Sequence, residues 1–252
     1  MGGAALDEAI RAEVVEVAGH GGDRIQAYFA EPLDSGRRPG MVVIHHMPGL
    51  DRQTKETVRR FAAQGYFAIS PNLYWREAPG ADPDDAAAAV RARGGVPDER
   101  LVGDVAGAAD FLRNRPSASG RVGVIGYCSG GRQAVLSACH LPLQAAVDCY
   151  GAFVVGQPPE GFPIPIRNLT DQLPDLGCPL LGLFGEEDQH PSPAETAELD
   201  ALLTSQGKEH EFTTYPGAGH AFFAVDRPSY RPEAAVDGWG RIFAFLGRTL
   251  EG

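Results

Sequence analysis

Short apolar segments alternate with longer segments of mixed polarity along most of the 252-residue chain. Eight of the short segments are typical of β-strands. They are EVVEV, IQAYFAE, MVVIHH, YFAISPN, VGVIGY, AAVDCYG, PLLGLFG and HEFTTYP. Several of them are apolar at consecutive positions, which indicates strands that are covered on both faces.

Six longer segments between these strands have patterns that favour helices. They are TKETVRRFAAQG, PDDAAAAVRAR, PDERLVGDVAGAADFLRNR, GRQAVLSACH, SPAETAELDALLTSQG and PEAAVDGWGRIFAFLGRTL. The first two strands, which flank GHGGD, predict an antiparallel hairpin. The regular alternation that follows predicts an α/β fold with a mainly parallel central sheet of about eight strands and helices on both faces.

We expect residues 1–252 to form a single domain, because no internal repeat and no linker interrupt the pattern. One long irregular segment stands out, residues 154–177, which contain five prolines. A loop of this length inside a compact domain is usually functional or disordered. We expect it to be a surface loop near the active face.

Composition excludes several classes of protein. Hydrophobic residues make up 43% of the chain, enough for a sizeable core. The formal net charge of −11 argues against nucleic acid or an anionic membrane as a partner. The sequence shows no leader pattern and no apolar run long enough to span a membrane, so we expect a soluble cytoplasmic protein, a monomer or a homodimer.

Four cysteines are present, and none forms a C-x-x-C pair, which argues against a zinc ribbon or a thioredoxin-like motif. Cys128 differs from the others because it lies in Gly126-Tyr127-Cys128-Ser129-Gly130, directly between a predicted strand and a predicted helix. This is the pattern of a nucleophile elbow with cysteine in place of serine. A phosphate-binding loop is the alternative, but the spacing matches neither G-x-G-x-x-G nor a Walker A loop.

A cysteine nucleophile requires a base and a group that orients the base. GEEDQH follows a buried strand and supplies Asp188, with Glu187 as an alternative acid. His220 follows later, in the glycine-rich PGAGHAFF. The order Cys128, acid, histidine along the chain is the one expected for this fold.

These motifs, together with SPNLYWR and the closing segment DRPSYRPEAAVDGWGRIFAFL, resemble those of the dienelactone hydrolase family. The resemblance extends from about residue 13 to residue 250. It implies an α/β-hydrolase fold in which Cys128 is the nucleophile, His220 the base and Asp188 its partner. It also implies an oxyanion hole made by the backbone N–H groups of Met47 and Ser129.

Four further residues are candidates for contact with substrate: His46, Arg76, Tyr150 and Phe222. Arg76 matches an arginine with which members of the family hold a substrate carboxylate, although a surface salt bridge is the alternative. His46 stands where well-known members have a glutamate that contacts the resting thiol. A protonated imidazole there would favour the thiolate. Tyr150 either lines the pocket or is an ordinary packed side chain.

We therefore expect a hydrolase that cleaves a small ester or lactone through a cysteine acyl-enzyme, without a cofactor. A biosynthetic cyclase, dehydratase or acyltransferase on the same fold is one alternative, and a non-catalytic ligand-binding protein is another. His45 and His46 suggest a metal site, but adjacent strand residues point to opposite faces, so we expect none.

Overall fold

One eight-stranded sheet forms the centre of the fold in a computed structural model that describes residues 9–34 and 36–251. The strands are β1 (Ile10–Ala18), β2 (Arg24–Pro32), β3 (Arg38–Ile44), β4 (Phe67–Pro71), β5 (Ala118–Tyr127), β6 (Ala145–Cys149), β7 (Leu180–Gly185) and β8 (His210–Tyr215). Their spatial order is β1-β2-β4-β3-β5-β6-β7-β8. Strand β2 is antiparallel to both of its neighbours, and all the other pairs are parallel. The predicted hairpin and the mainly parallel sheet are confirmed.

The described residues form six α-helices, all of them predicted; five lie between strands, and the sixth follows β8. They are α1 (Arg52–Ala63), α2 (Pro83–Ala92), α3 (Asp98–Arg113), α4 (Ser129–His140), α5 (Pro193–Ser205) and α6 (Pro232–Leu250). Local sequence explains where α5 begins: Ser192 accepts from the Glu195 amide and the Glu195 carboxylate accepts from the Ser192 amide. Within the described part of the chain, no helix is long and apolar enough to cross a membrane.

Two apolar layers cover the sheet, one on each face. Successive residues of β3 alternate between them, with Val42 and Ile44 in one layer and Met41 and Val43 in the other. The first layer includes side chains of α2, α3, α4 and α5, and the second includes those of α1 and α6. Because both faces of the strands are buried, the strand sequences lack the alternation of polar residues that a half-exposed sheet would show.

The strand order determines where a site can form. Strand β3 lies between β4 and β5, so the chain leaves β3 in one direction and later returns on its other side. This reversal opens a crevice beyond the carboxyl ends of β3 and β5, which is where open α/β sheets bind their ligands. Met47 follows β3 and Cys128 follows β5, so the topology brings these two residues together.

The packing of α3 against the end of β1 generates a prediction about stability. A methyl group at Gly107 would lie 1.7 Å from the Ala18 carbonyl oxygen, whereas one at Gly247 in α6 would meet nothing within 4 Å. We expect Gly107→Ala to lower the free energy of unfolding by about 1–3 kcal/mol. The matched Gly247→Ala should raise it by up to about 1 kcal/mol, because alanine restricts the unfolded chain and favours helix. Urea unfolding of both variants measures this, and shifts in the same direction would contradict the packing.

Candidate active site

Cys128 is the single residue between the end of β5 and the start of α4. Its backbone has φ 56° and ψ −125°, a region that L-residues rarely adopt. A Cβ at Gly126 would lie 1.8 Å from the Gly130 carbonyl oxygen, and one at Gly130 would lie 2.6 Å from the Ile44 carbonyl oxygen. Glycine is therefore required on both sides of the turn. Strain of this kind costs on the order of 1–3 kcal/mol and is typical of functional residues.

Asp188 and His220 form a hydrogen-bonded pair beside this turn. The Nδ1–H group of His220 donates to Asp188 Oδ2 at 2.8 Å, and the His190 amide donates to Asp188 Oδ1 at 2.9 Å. Asp188 is buried, whereas Glu187 is exposed. The geometry therefore selects Asp188 as the acid. The second ring nitrogen of His220 remains for the Cys128 thiol, because both residues line the same cavity.

The electrostatics of His220 reflect two opposing effects. Burial lowers the pKa of its imidazole, but hydrogen bonds to Asp188 and Cys128 outweigh burial and raise that pKa from 6.5 to about 10. A histidine with this pKa is protonated at neutral pH. The site can therefore hold an imidazolium between the Asp188 carboxylate and the sulfur.

The two residues expected to donate to the oxyanion, Met47 and Ser129, lie at the cavity that Cys128 also lines. Ser129 is the first residue of α4, and the first N–H groups of a helix have no partner within the helix. The Met47 turn is fixed because the Tyr74 hydroxyl donates to the Met47 carbonyl at 3.0 Å. Two N–H groups can thus point towards an oxygen bound next to the sulfur.

Asp148 lies under the turn at the end of β6 and is fully buried. Its Oδ1 accepts from the Gly151 amide at 2.7 Å, while its Oδ2 has no partner among the described residues. Burial raises the pKa of this carboxyl to about 7. The carboxyl fixes the backbone that follows β6, directly beside the start of α4, because a Cβ at Gly131 would lie 2.2 Å from its Oδ1.

The cavity above Cys128 has a volume of about 350 Å³. Three parts of the chain enclose it: the catalytic turns, the region from α2 to the start of α3, and the loop after β6. The lining residues are Met47, Tyr74, Val90, Arg91, Gly95, Val96, Asp98, Cys128, Ser129, Arg132, Gln133, Ala152, Phe153, Phe162, Ile164, Pro165, Ile166, Asp188, Gln189, His190 and His220.

His46 does not line the cavity, so the structure does not support its expected contact with substrate. Its Nε2 bonds Asp51 Oδ2 at 2.7 Å, and Asp51 caps α1 by accepting from the Thr54 amide. The side chain of His46 thus fixes the loop before α1 and does not line the cavity. His45 is buried, and burial lowers the pKa of its imidazole to about 4. Among the residues that the structure describes, no cluster of three potential metal ligands occurs.

Arg76 is also engaged elsewhere and does not line the cavity, so the structure does not support its expected contact with substrate. Its guanidinium forms a two-pronged pair with Asp104, at 2.8 and 2.9 Å, and its Nε donates to Asp23 at 2.8 Å. Arg76 therefore forms a salt bridge, which was the alternative to a contact with substrate. The bridge is not on the surface, because Asp104 is fully buried. Withdrawing Arg76 would leave an unpaired buried carboxylate, a costly change.

Tyr150 and Phe222 do not line the cavity, and the position of Tyr150 fits the alternative of an ordinary packed side chain. Both are almost completely buried. The ring of Tyr150 meets the His220 ring edge-on at 5.1 Å and the Phe222 ring at 5.2 Å. The Tyr150 ring therefore packs against the imidazole, and Phe222 packs against Tyr150. Phe153 lines the cavity, whereas Phe223 is a core residue.

The loop expected near the active face does contribute to the cavity, through residues 162–166. Sequence reasoning did not identify which of its residues do so, nor the contribution of α2, and the alternation of apolar residues and prolines in FPIPI was the available signal. It also missed Arg132, which pairs with Asp98 through two bonds of 3.0 and 2.8 Å. Arg132 Nη2 further donates to the Arg167 carbonyl at 2.7 Å and so ties α4 to the loop.

The sheet order and the strand–cysteine–helix turn with its acid and histidine define an α/β-hydrolase fold. Comparison with known proteins narrows this class. The model of the dienelactone hydrolase family matches residues 25–250, so the chain belongs to that family and is a hydrolase.

Individual relatives agree with this assignment. A protein from Methylorubrum extorquens named "Putative carboxymethylenebutenolidase" is 37% identical over 86% of this chain and 75% of its own length. One of the same name from Escherichia coli is 35% identical over 95% of this chain and 88% of its own. A crystal structure from Klebsiella pneumoniae, described as a "Putative Dienelactone Hydrolase", superposes with a TM-score of 0.83 at 31% identity, covering 95% of this chain and 99% of that one.

The Asp188–His220 pair generates a prediction about protonation. In the folded protein we expect the His220 imidazole to stay protonated from pH 6 to pH 9, because its pKa is about 10. Asp188→Asn should lower that pKa towards 6.5, since the negative partner is lost. Asp200→Asn is the matched control, because Asp200 bonds a different histidine, His210, at 3.1 Å. NMR titration of the histidine resonances decides this, and a wild-type His220 that titrates near 6.5 would contradict the assignment.

The same pKa sets the pH dependence of stability. Because the folded-state pKa exceeds the ordinary value of 6.5, protonated His220 contributes fully to the free energy of unfolding below about pH 6.5. The contribution should then decline as the pH rises through about 10. Urea unfolding at several pH values should show this decline in the wild type and a weaker one in Asp188→Asn. Equal slopes in the two proteins would refute it.

Proposed function

We propose that this hydrolase cleaves a carboxylic ester or lactone through a covalent thioester on Cys128, with His220 as the base and Asp188 as the group that orients it. One observation carries the proposal: the strained turn presents the Cys128 thiol to the cavity, within reach of a histidine that is paired with a buried carboxylate. The names of the relatives, which refer to a butenolide, support an ester or lactone bond as the target.

Acylation follows from the placement of these groups. His220 holds the proton of Cys128, and the sulfur attacks the carbonyl carbon of the substrate. Negative charge moves to the carbonyl oxygen, where the amides of Met47 and Ser129 donate hydrogen bonds. The tetrahedral intermediate then expels the alkoxide, which takes the proton from His220. The product of this half-reaction is a thioester on Cys128 and a free alcohol, or one opened chain if the substrate is a lactone.

Deacylation reverses the roles. Neutral His220 takes a proton from a water molecule, and the resulting hydroxide attacks the thioester carbonyl. The sulfur leaves as a thiolate beside the imidazolium, and the carboxylic acid product is released. Asp188 stabilises the imidazolium in both halves without itself gaining a proton.

The role of Cys128 is testable by comparing two cysteine variants. Cys128→Ala should lower kcat/KM for p-nitrophenyl acetate by about a thousandfold or more, because no nucleophile remains. Cys178→Ala is the matched control, since Cys178 precedes β7 and thus lies at the opposite edge of the sheet. It should keep near wild-type activity.

Release of p-nitrophenolate measures both rates, and circular dichroism checks that both variants fold. Hydrolysis by folded Cys128→Ala at the wild-type rate would refute the nucleophile. Loss of activity in both variants by the same factor would also count against it, because the effect would then not be specific to the turn.

A further inference from the structure

The loop after β6 presents one apolar face to the cavity. Within residues 162–166 the side chains of Phe162, Ile164 and Ile166 are half-buried and line the cavity, while those between them are exposed. This alternation is the one that an extended chain produces. These three residues form an apolar strip (Phe162, Ile164 and Ile166) that is turned to the space above Cys128, and the exposed Pro165 also contributes to the lining.

Packing fixes this strip to the body of the protein. A Cβ at Gly95 would lie 2.6 Å from Ile164 Cγ2, so the strip rests directly on the glycine turn that follows α2. The Phe162 ring meets the Phe153 ring edge-on at 5.3 Å. At the far end, Arg132 holds the Arg167 carbonyl at 2.7 Å. The wall is therefore preformed, and binding an apolar group against it does not require ordering a free loop.

Apolar residues also line the neighbouring part of the cavity. Val90 of α2 and Val96 belong to the lining, so the strip is one side of an apolar slot that leads to Cys128. Charge in the slot is largely paired, since Arg132 is neutralised by Asp98. Arg91 also lines the cavity, and it is exposed to solvent. A carboxylate paired with Arg91 would remain hydrated and gain little from the contact.

We propose that this slot binds an uncharged apolar group of the substrate, so that the enzyme selects neutral esters of hydrophobic acids or alcohols. The inference rests on the proposed function, because it names the substrate class of the same site. Each methylene group removed from water by the slot should raise kcat/KM by about fourfold, until the slot is full. A carboxylate at the end of the chain should remove this advantage, because the apolar wall cannot solvate it.

Two ester series test the preference. One contains the p-nitrophenyl esters of acetic, butyric and hexanoic acid, and the other the acetate esters of ethanol, butanol and hexanol. We expect kcat/KM to rise with chain length in at least one series. p-Nitrophenyl hydrogen adipate, which matches the hexanoate in length and adds a terminal carboxylate, should be cleaved at least about tenfold more slowly than the hexanoate. Flat profiles in both series, or a preference for the adipate, would overturn the inference.

Variants connect the preference to the strip. Ile164→Ala should flatten the rise with chain length, and Ile166→Phe, which narrows the slot, should move the optimum to shorter chains. Val236→Ala is the matched control, because Val236 is an exposed apolar side chain on α6, 70% accessible and outside the cavity. It should leave the profile unchanged. A chain-length profile that neither strip variant alters would overturn the inference.

Hydrolysis of p-nitrophenyl acetate distinguishes a failure of this inference from a failure of the proposed function. If acetate hydrolysis survives in Cys128→Ala, the covalent mechanism itself fails. If acetate hydrolysis requires Cys128 but the profiles are flat, the mechanism stands and only the substrate class is wrong.

Discussion

The backbone at Cys128 is the constraint on which the site depends. Cys128 has a positive φ and lies between a buried strand and a helix. This conformation directs its side chain away from both elements, towards the crevice at the carboxyl edge of the sheet. The turn is possible only because Gly126 and Gly130 permit the chain to pass within contact distance of β3 and of itself. The same turn begins α4, so the amide of Ser129 lies free beside the sulfur. The proposed nucleophile and one proposed oxyanion donor are therefore positioned by the same local geometry.

Around that turn, burial and charge act against each other. Burial alone would leave His220 neutral, yet Asp188 and Cys128 keep it protonated, with a pKa of about 10. The Tyr150 ring packs edge-on against the imidazole, and the Phe222 ring packs against Tyr150. Asp148, whose pKa burial raises to about 7, holds the backbone next to α4. The site thus combines a strained backbone at Cys128 with a buried carboxyl oxygen of Asp148 that has no partner among the described residues. A core selected for stability alone would avoid both features.

The fold was predictable because its signals are local and repeated. Buried parallel strands, capped helices and the glycines around Cys128 all leave their pattern in neighbouring residues. Side-chain partners were less predictable. His46 and Arg76 face partners, Asp51 and Asp104, that the chain brings together only in three dimensions. The alternation within residues 162–166 is visible in the sequence, but the packing of this segment against Gly95 is a long-range contact that no local pattern encodes.

The central claim is that a covalent thioester forms on Cys128, and trapping it is the most direct test. Enzyme mixed with excess p-nitrophenyl acetate is quenched in acid within milliseconds, digested and analysed by mass spectrometry. The account predicts an acetyl group on the peptide that contains Cys128, formed together with a stoichiometric burst of p-nitrophenolate. Steady turnover without a burst, and with every cysteine peptide unmodified at all quench times, would contradict it.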